Sequence, residues 1–196
     1  KQQICLSYAY GDGKESSCEN TVNSVQRLFY NIPINTYFSL DLDGISALND
    51  SVGGVDVVSP ETIGDFVEGE SYHLVGQQAE SFVRTRDTSK VDSNNMRMQR
   101  QKVYIQSFMN TVLQQTKKDL TTPLDLFNAS APYSCTNLNP SKVTYLAQQA
   151  VLGGMNGIDM LSVPGQVKMG SKYAEFNVSE AEFYQMFLSI YYTKIE

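Results

Sequence analysis

The sequence predicts an α/β protein, a layered sheet flanked by helices, and three observations carry that expectation. Extended and helical hydrophobic patterns alternate along the chain. Composition is globular, with 41% hydrophobic and 18% charged residues, which excludes disorder and collagen-like repeats. The 196 residues suffice for a single domain with a proper core, since a chain of this size buries about 70% of its unfolded surface. No apolar run approaches the roughly 18 residues that span a bilayer.

The elements follow in order. Ile4–Tyr10, rich in apolar and aromatic residues, reads as a strand closed by the Gly11-Asp12-Gly13 turn. From Cys18 or Glu19 to Tyr30, Val22, Val25, Leu28 and Phe29 recur at helical spacing, and Pro33 stops the helix. Thr36–Leu42 alternates like a strand. Asp43 caps a short helix over Ile45–Asp50, ended by Gly53-Gly54. Val55–Val58 is a strand and Ser59–Gly69 a polar loop. Gln77–Phe82 is helical, Val83–Arg86 extended, and Asp87–Asn95 a loop. Met96–Lys118 is the longest helical pattern, with Val103, Phe108, Val112 and Leu113 in its stripe. That stripe packs the core or lines an apolar tunnel. Helices near Pro123 and over Pro140–Leu152, a strand over Ile158–Val163, and a last helix capped by Ser179 complete the chain.

A net charge of −6 argues against a nucleic-acid partner, whose phosphates need a basic surface. Within this acidic chain, four of the five arginines (Arg84, Arg86, Arg97 and Arg100) fall in one 17-residue window. Arg84 and Arg86, two apart, share a face if the segment is a strand. Arg97, Arg100, Gln101 and Tyr104 share a face of the following helix. Folding the loop back would gather four guanidiniums at a helix N-terminus, an anion site better matched to a diphosphate than to one carboxylate. The alternative is a solvated face with ordinary ion pairs.

Cys5, Cys18 and Cys135 form no Cys-x-x-Cys pair, and a lone His73 builds no histidine metal site. His73 reads as a strand or loop residue. No nucleophile elbow, Walker loop or dinucleotide fingerprint occurs.

Several motifs carry a resemblance. Ser7-Tyr8-Ala9-Tyr10-Gly11, Leu48-Asn49-Asp50-Ser51-Val52-Gly53-Gly54-Val55-Asp56-Val57, the block from Leu74 through Gly76, Ala79, Phe82, Val83 and Arg84 to Arg86, and Arg97-Met98-Gln99-Arg100-Gln101 occur in order. Together they resemble the LytR-CpsA-Psr family of cell-envelope phosphotransferases. The resemblance covers residues 7–101 and is weak beyond residue 120.

The resemblance implies transfer of a glycopolymer, such as wall teichoic acid or capsular polysaccharide, from an undecaprenyl-pyrophosphate carrier to peptidoglycan. It implies pyrophosphate contacts from Arg84, Arg86, Arg97, Arg100 and Gln101, catalytic roles for Arg84, Arg86 and Arg97, help from Mg²⁺, and a prenyl tail in an apolar tunnel. Location follows as the extracytoplasmic membrane face of a Gram-positive cell, with an upstream transmembrane anchor. The family's domain begins well before the position of Lys1, so residues 1–196 read as one domain, the carboxy-terminal two-thirds of the family's catalytic domain, truncated at the N-terminus. The family's metal-binding aspartate would lie upstream, so no metal ligand is assigned in this chain. An upstream fragment or a second copy is expected to complete the sheet, and the isolated chain to be inactive. Where the family often has an acid three residues before the first helix arginine, this chain has Asn94; either Asp92, two further back, substitutes in that catalytic role or the role is absent. The alternatives are a non-catalytic polyprenyl-phosphate-binding module and an envelope-associated regulator. The implied location also permits oxidation, so a Cys5–Cys18 disulfide around the Gly-Asp-Gly turn is expected, with two buried thiols as the alternative and Cys135 free.

Overall fold

A computed structural model describes residues 4–87, 89, 93–170 and 174–193, with the side chains of Cys5 and Ala174 outside the description. The chain divides into two compact units, Lys1–Asp159 and Met160–Glu196.

The first unit opens with helices α1 (Cys5–Ala9) and α2 (Glu15–Leu28). The strand expected over Ile4–Tyr10 is therefore a short helix. Aromatic and apolar residues favour a strand only where a neighbouring strand receives them. Here the segment packs on α2, with Ser7 Oγ 2.6 Å from Ser24 Oγ and the Tyr8 hydroxyl donating to the Gly13 carbonyl at 2.8 Å. α2 begins before Cys18 because the Asp12 carboxylate accepts from Lys14 N at 2.8 Å, turning the chain into the helix.

Strand β1 (Phe38–Leu40) is followed by helix α3 (Asp43–Ser51). Asp43 is the first residue of α3 rather than its cap, and favours the helix through its charge in the first turn. Strands β2 (Val55–Val58) and β3 (Ser71–Leu74) form an antiparallel pair, with Val55 opposite Leu74 and Asp56 opposite His73. Val55 and Val57 point inward while Asp56 and Val58 are exposed, the two-residue period of a half-buried strand. Gly54 enters β2 at φ +94°, where a Cβ would meet His73 Nε2 at 2.4 Å.

Helices α4 (Gln77–Arg84), α5 (Ser93–Lys118) and α6 (Thr122–Ser130) follow. A single 3₁₀ turn leads to β4 (Ser134–Thr136), which pairs antiparallel with β1 and sets Cys135 opposite Ser39. Helix α7 (Pro140–Leu152) starts at Asn139, whose side chain accepts from Lys142 N at 2.9 Å. The core is built from Val52, Val55, Val57, Phe66, Leu74, Ala79, Phe82, Val83 and Tyr104, with Val103, Phe108 and Val112 of α5 packed against it.

The second unit contains the antiparallel pair β5 (Gly165–Met169) and β6 (Ala174–Val178), then helix α8 (Glu180–Tyr191). The strand expected over Ile158–Val163 is absent. Ile158 N donates instead to the Asn110 side chain at 3.1 Å, and pairing starts only after Pro164, whose carbonyl accepts from Ser179 N at 2.9 Å. Ser179 precedes α8 without a side-chain cap bond. The fold is thus mixed helix and sheet, with the described strands in three two-stranded antiparallel pairs.

Candidate functional site

The site grows from the junction of α4 and α5. Ala79, Phe82 and Val83 recur at i, i+3 and i+4 and are all buried. That stripe draws helix α4 through Arg84, and the extended segment expected over Val83–Arg86 begins only at Thr85. Arg84 and Arg86 therefore do not share a strand face. Arg84, the last residue of α4, pairs with Glu80 one turn back. Arg86 leaves the helix and its Nε donates to Ser93 Oγ at 3.1 Å, reaching the first residue of α5.

One turn into α5, Arg97 Nη2 donates to Asn94 Oδ1 at 2.9 Å, while Arg97 Nε is buried with no partner among the described residues. Gln101, on the same face, donates from Nε2 to the Val83 carbonyl at 3.2 Å. Arg100 differs from the other three. It is fully buried, its Nε lies 2.9 Å from Glu61 Oε1, and its Nη2 donates to the Thr85 carbonyl. Burial, against the pull of Glu61, lowers its pKa from the usual guanidinium value, and the nearby Arg97 charge adds to that. Arg100 Nη1 is also buried without a partner among the described residues. Arg86 meets Ser93 and Arg100 meets Thr85, so the end of α4 lies against the first turns of α5. Asp92, expected in the acidic loop position, lies outside the described residues. Asp87 accepts from the Ser89 amide at 3.1 Å and from its hydroxyl at 2.5 Å.

Beside this cluster opens an apolar cavity of about 300 Å³, floored by Leu40, Leu42, Ile45 and Leu48, walled by Tyr104, Ile105 and Phe108, and carrying Arg84 and Gln101 in its lining. Phe108 belongs both to the packing around the core and to this lining. The stripe of α5 thus packs the core through Val103, Phe108 and Val112, and Phe108 also borders this cavity.

Sequence reasoning missed Glu61. It sits 39 positions from Arg100 in a polar loop, where its backbone carbonyl accepts from the Ser59 hydroxyl at 2.7 Å. Its one signal is an acid between two turns, too common to single out. The Cys5–Cys18 disulfide is not formed: Cys18 is a free, buried thiol, and Cys135 is free as expected. The Cys5 side chain lies outside the description. His73 lies on β3, its Nδ1 2.8 Å from Asp56 Oδ1 and its Nε2 3.1 Å from the Gly53 carbonyl.

The LytR_cpsA_psr family description matches residues 1–189. The chain belongs to this family. Among family relatives, a polyisoprenyl-teichoic acid–peptidoglycan teichoic acid transferase TagU of Enterococcus faecalis is 33% identical over 116 residues, covering 57% of this chain and 36% of that protein. A TagU of Bacillus cereus is 28% identical over 167 residues, covering 82% of this chain and 51% of that protein. The chain spans about half or less of the length of these relatives. In fold, the crystal structure of B. subtilis TagU superposes with a TM-score of 0.65 at 19% identity, covering all of this LytR_cpsA_psr chain and 79% of that one.

The family resemblance calls for Mg²⁺, and the described residues do not make a site for it. Among them no three His, Cys, Asp or Glu side chains are grouped to hold a metal ion. Two carboxylates beside the arginines, Glu61 and Glu80, already face Arg100 and Arg84.

Proposed function

We propose that this chain is the carrier-binding part of a phosphotransferase that moves a glycopolymer from an undecaprenyl-pyrophosphate carrier to peptidoglycan. Teichoic acid is the polymer named for the transferase relatives, and capsular polysaccharide is a second candidate from the same family. Arg84, Arg86, Arg97 and Gln101 contact the pyrophosphate in this reading. The first isoprene units occupy the apolar cavity. Arg100 holds Thr85, and through it the arginines on either side, in place.

One observation carries the proposal: a buried Arg97 nitrogen without a partner among the described residues, one helical turn from Gln101 at the lining of an apolar cavity. An unpaired buried donor is costly, and an anionic headgroup on an apolar tail satisfies both features together. The chemistry asks little more of the protein than position and charge. An acceptor hydroxyl attacks the phosphorus that bears the polymer, the bond to the carrier's phosphate breaks, and the guanidiniums stabilise the charge on the transferred group. Mg²⁺ assistance and an acidic role for Asp92 remain part of the proposal as family expectations. So do the extracytoplasmic location and the upstream anchor; among the described residues no helix is long and apolar enough to cross a membrane.

A second reading, carrier binding without transfer, draws on the paired state of Glu61 and Glu80. Calorimetric titration with geranylgeranyl pyrophosphate tests the shared part of both. Arg86→Ala and Arg97→Ala should each weaken binding about 10- to 100-fold, the loss of one charged hydrogen bond. Arg84→Ala should cost less, because Glu80 already engages that guanidinium. Unchanged affinity in the first two variants would reduce the cluster to a solvated arginine face.

A further inference from the structure

Two thiols that the arginine site does not use lie close together elsewhere in the first unit. Cys18 sits in the first half of α2 with 4% of its surface exposed. Cys135 is the middle residue of β4, half-buried, directly opposite Ser39 of β1. Ser39 and Cys18 line one cleft together with Tyr8 and Tyr37, and α2 packs against β4. Opposed residues of an antiparallel pair carry their side chains on one face, so the Cys135 side chain stands beside that of Ser39, the neighbour of Cys18 in this cleft. We propose that Cys18 and Cys135 are a thiol pair that closes to a disulfide joining α2 to β4.

The environment assigns each thiol a part. Burial, and after it the adjacent Cys135, pushes the Cys18 thiol up from its usual pKa, which keeps it protonated and unreactive toward solvent. Cys135 is the more exposed of the two and reacts first. Its thiolate, formed by loss of the proton to water, attacks one sulfur of an external low-molecular-weight disulfide. The reagent's S–S bond breaks, one thiol leaves, and a mixed disulfide stands on Cys135. Cys18 then gives up its proton and attacks the Cys135 sulfur, expelling the second thiol. Two protein thiols become one disulfide, and two electrons with two protons leave on the oxidant as two thiols. The closed loop runs from residue 18 to residue 135, a span of 117 positions, and long loops lose the most unfolded-state freedom on closure. Nothing in this pairing uses the arginines or the cavity, so it stands or falls separately from the phosphotransfer reading.

The experiment is thiol mapping on the reduced chain after equilibration with oxidised glutathione. Intact mass, alkylation of the remaining thiols and peptide mapping are compared for the parent chain, Cys5→Ser, Cys135→Ser and Cys18→Ala, the last chosen because a buried serine could unfold the protein. The expected result is a loss of two hydrogens mapped to Cys18–Cys135. It should be retained in Cys5→Ser and absent from the other two variants. Oxidised Cys5→Ser should also melt about 5–10 °C above its reduced form. Three results overturn the proposal: a bond mapping to Cys5, a chain that stops at glutathione on Cys135, or a chain that stays reduced.

Discussion

Arg100 and Glu61 show how a single residue shapes the site without facing its ligand. Removing one partner of a buried ion pair leaves the other charge uncompensated, at about 3–5 kcal/mol. Glu61→Gln is therefore expected to lower stability by about 3 kcal/mol in urea unfolding, and the double variant Glu61→Leu/Arg100→Met by much less than the sum of its single changes. A double-variant cost equal to the sum of the single costs would mean that the two side chains do not act as a pair. His73 makes a different residue-scale prediction. The hydrogen bond that His73 donates to Asp56, followed by the charge of that carboxylate, raises the His73 pKa above its ordinary value. The pair therefore adds stability that is complete below about pH 6.5 and is lost as pH rises through the raised folded-state value. NMR titration should place His73 above the free histidine value, and His73→Gln should flatten the stability difference between about pH 6 and pH 9. A titration at or below the free value would remove the Asp56 contact from the argument.

At the scale of elements, the turn from α3 into β2 has the least tolerance. Gly54 combines φ +94° with a phantom Cβ 2.4 Å from His73 Nε2 and 2.9 Å from the Leu74 carbonyl. The imidazole can swing away, but the strand carbonyl cannot, and the left-handed backbone stays strained with any side chain. Gly54→Ala should cost about 1–3 kcal/mol, measured by urea unfolding, whereas Gly53 at φ +80° has open space around it and loses only its backbone freedom. If Gly54→Ala cost no more than Gly53→Ala, the close approach to β3 would carry no weight. The junction of α4 and α5 is the other element-level device. Bonds from Arg86 to Ser93, Arg100 to Thr85 and Gln101 to Val83 tie the two helices over the arginine cluster.

For the whole molecule, binding and turnover are expected to separate. The arginines and cavity supply what a prenyl pyrophosphate needs in order to bind, and the described carboxylates near them are already paired. Purified residues 1–196 should bind geranylgeranyl pyrophosphate with an affinity that falls as salt rises, because charge carries the headgroup contact. They should release no polyprenyl phosphate from a glycopolymer-linked carrier in the presence of Mg²⁺. Robust turnover by this chain would show that the arginine cluster, with Asp87 or Asp92, is sufficient for transfer.

Much was legible from residue order alone, wherever the information is local. Helical spacing marked α2, α5 and α7, the Gly53-Gly54 pair marked the turn into β2, and four ordered motifs pointed to the family. The clustering of Arg84, Arg86, Arg97 and Arg100 was equally visible, since a short loop keeps them near each other in any fold. Tertiary structure decided the rest. Ile4–Tyr10 carries strand-like residues but packs on α2 as a helix, because packing partners override weak local preference. Arg84 is helical because Phe82 and Val83 are buried on the helix face. Glu61 meets Arg100 across 39 positions, and α2, which carries Cys18, packs on β4, which carries Cys135. Which acid a buried guanidinium finds, and which thiol a buried cysteine meets, is set by how helices and strands pack, and no local spacing encodes it.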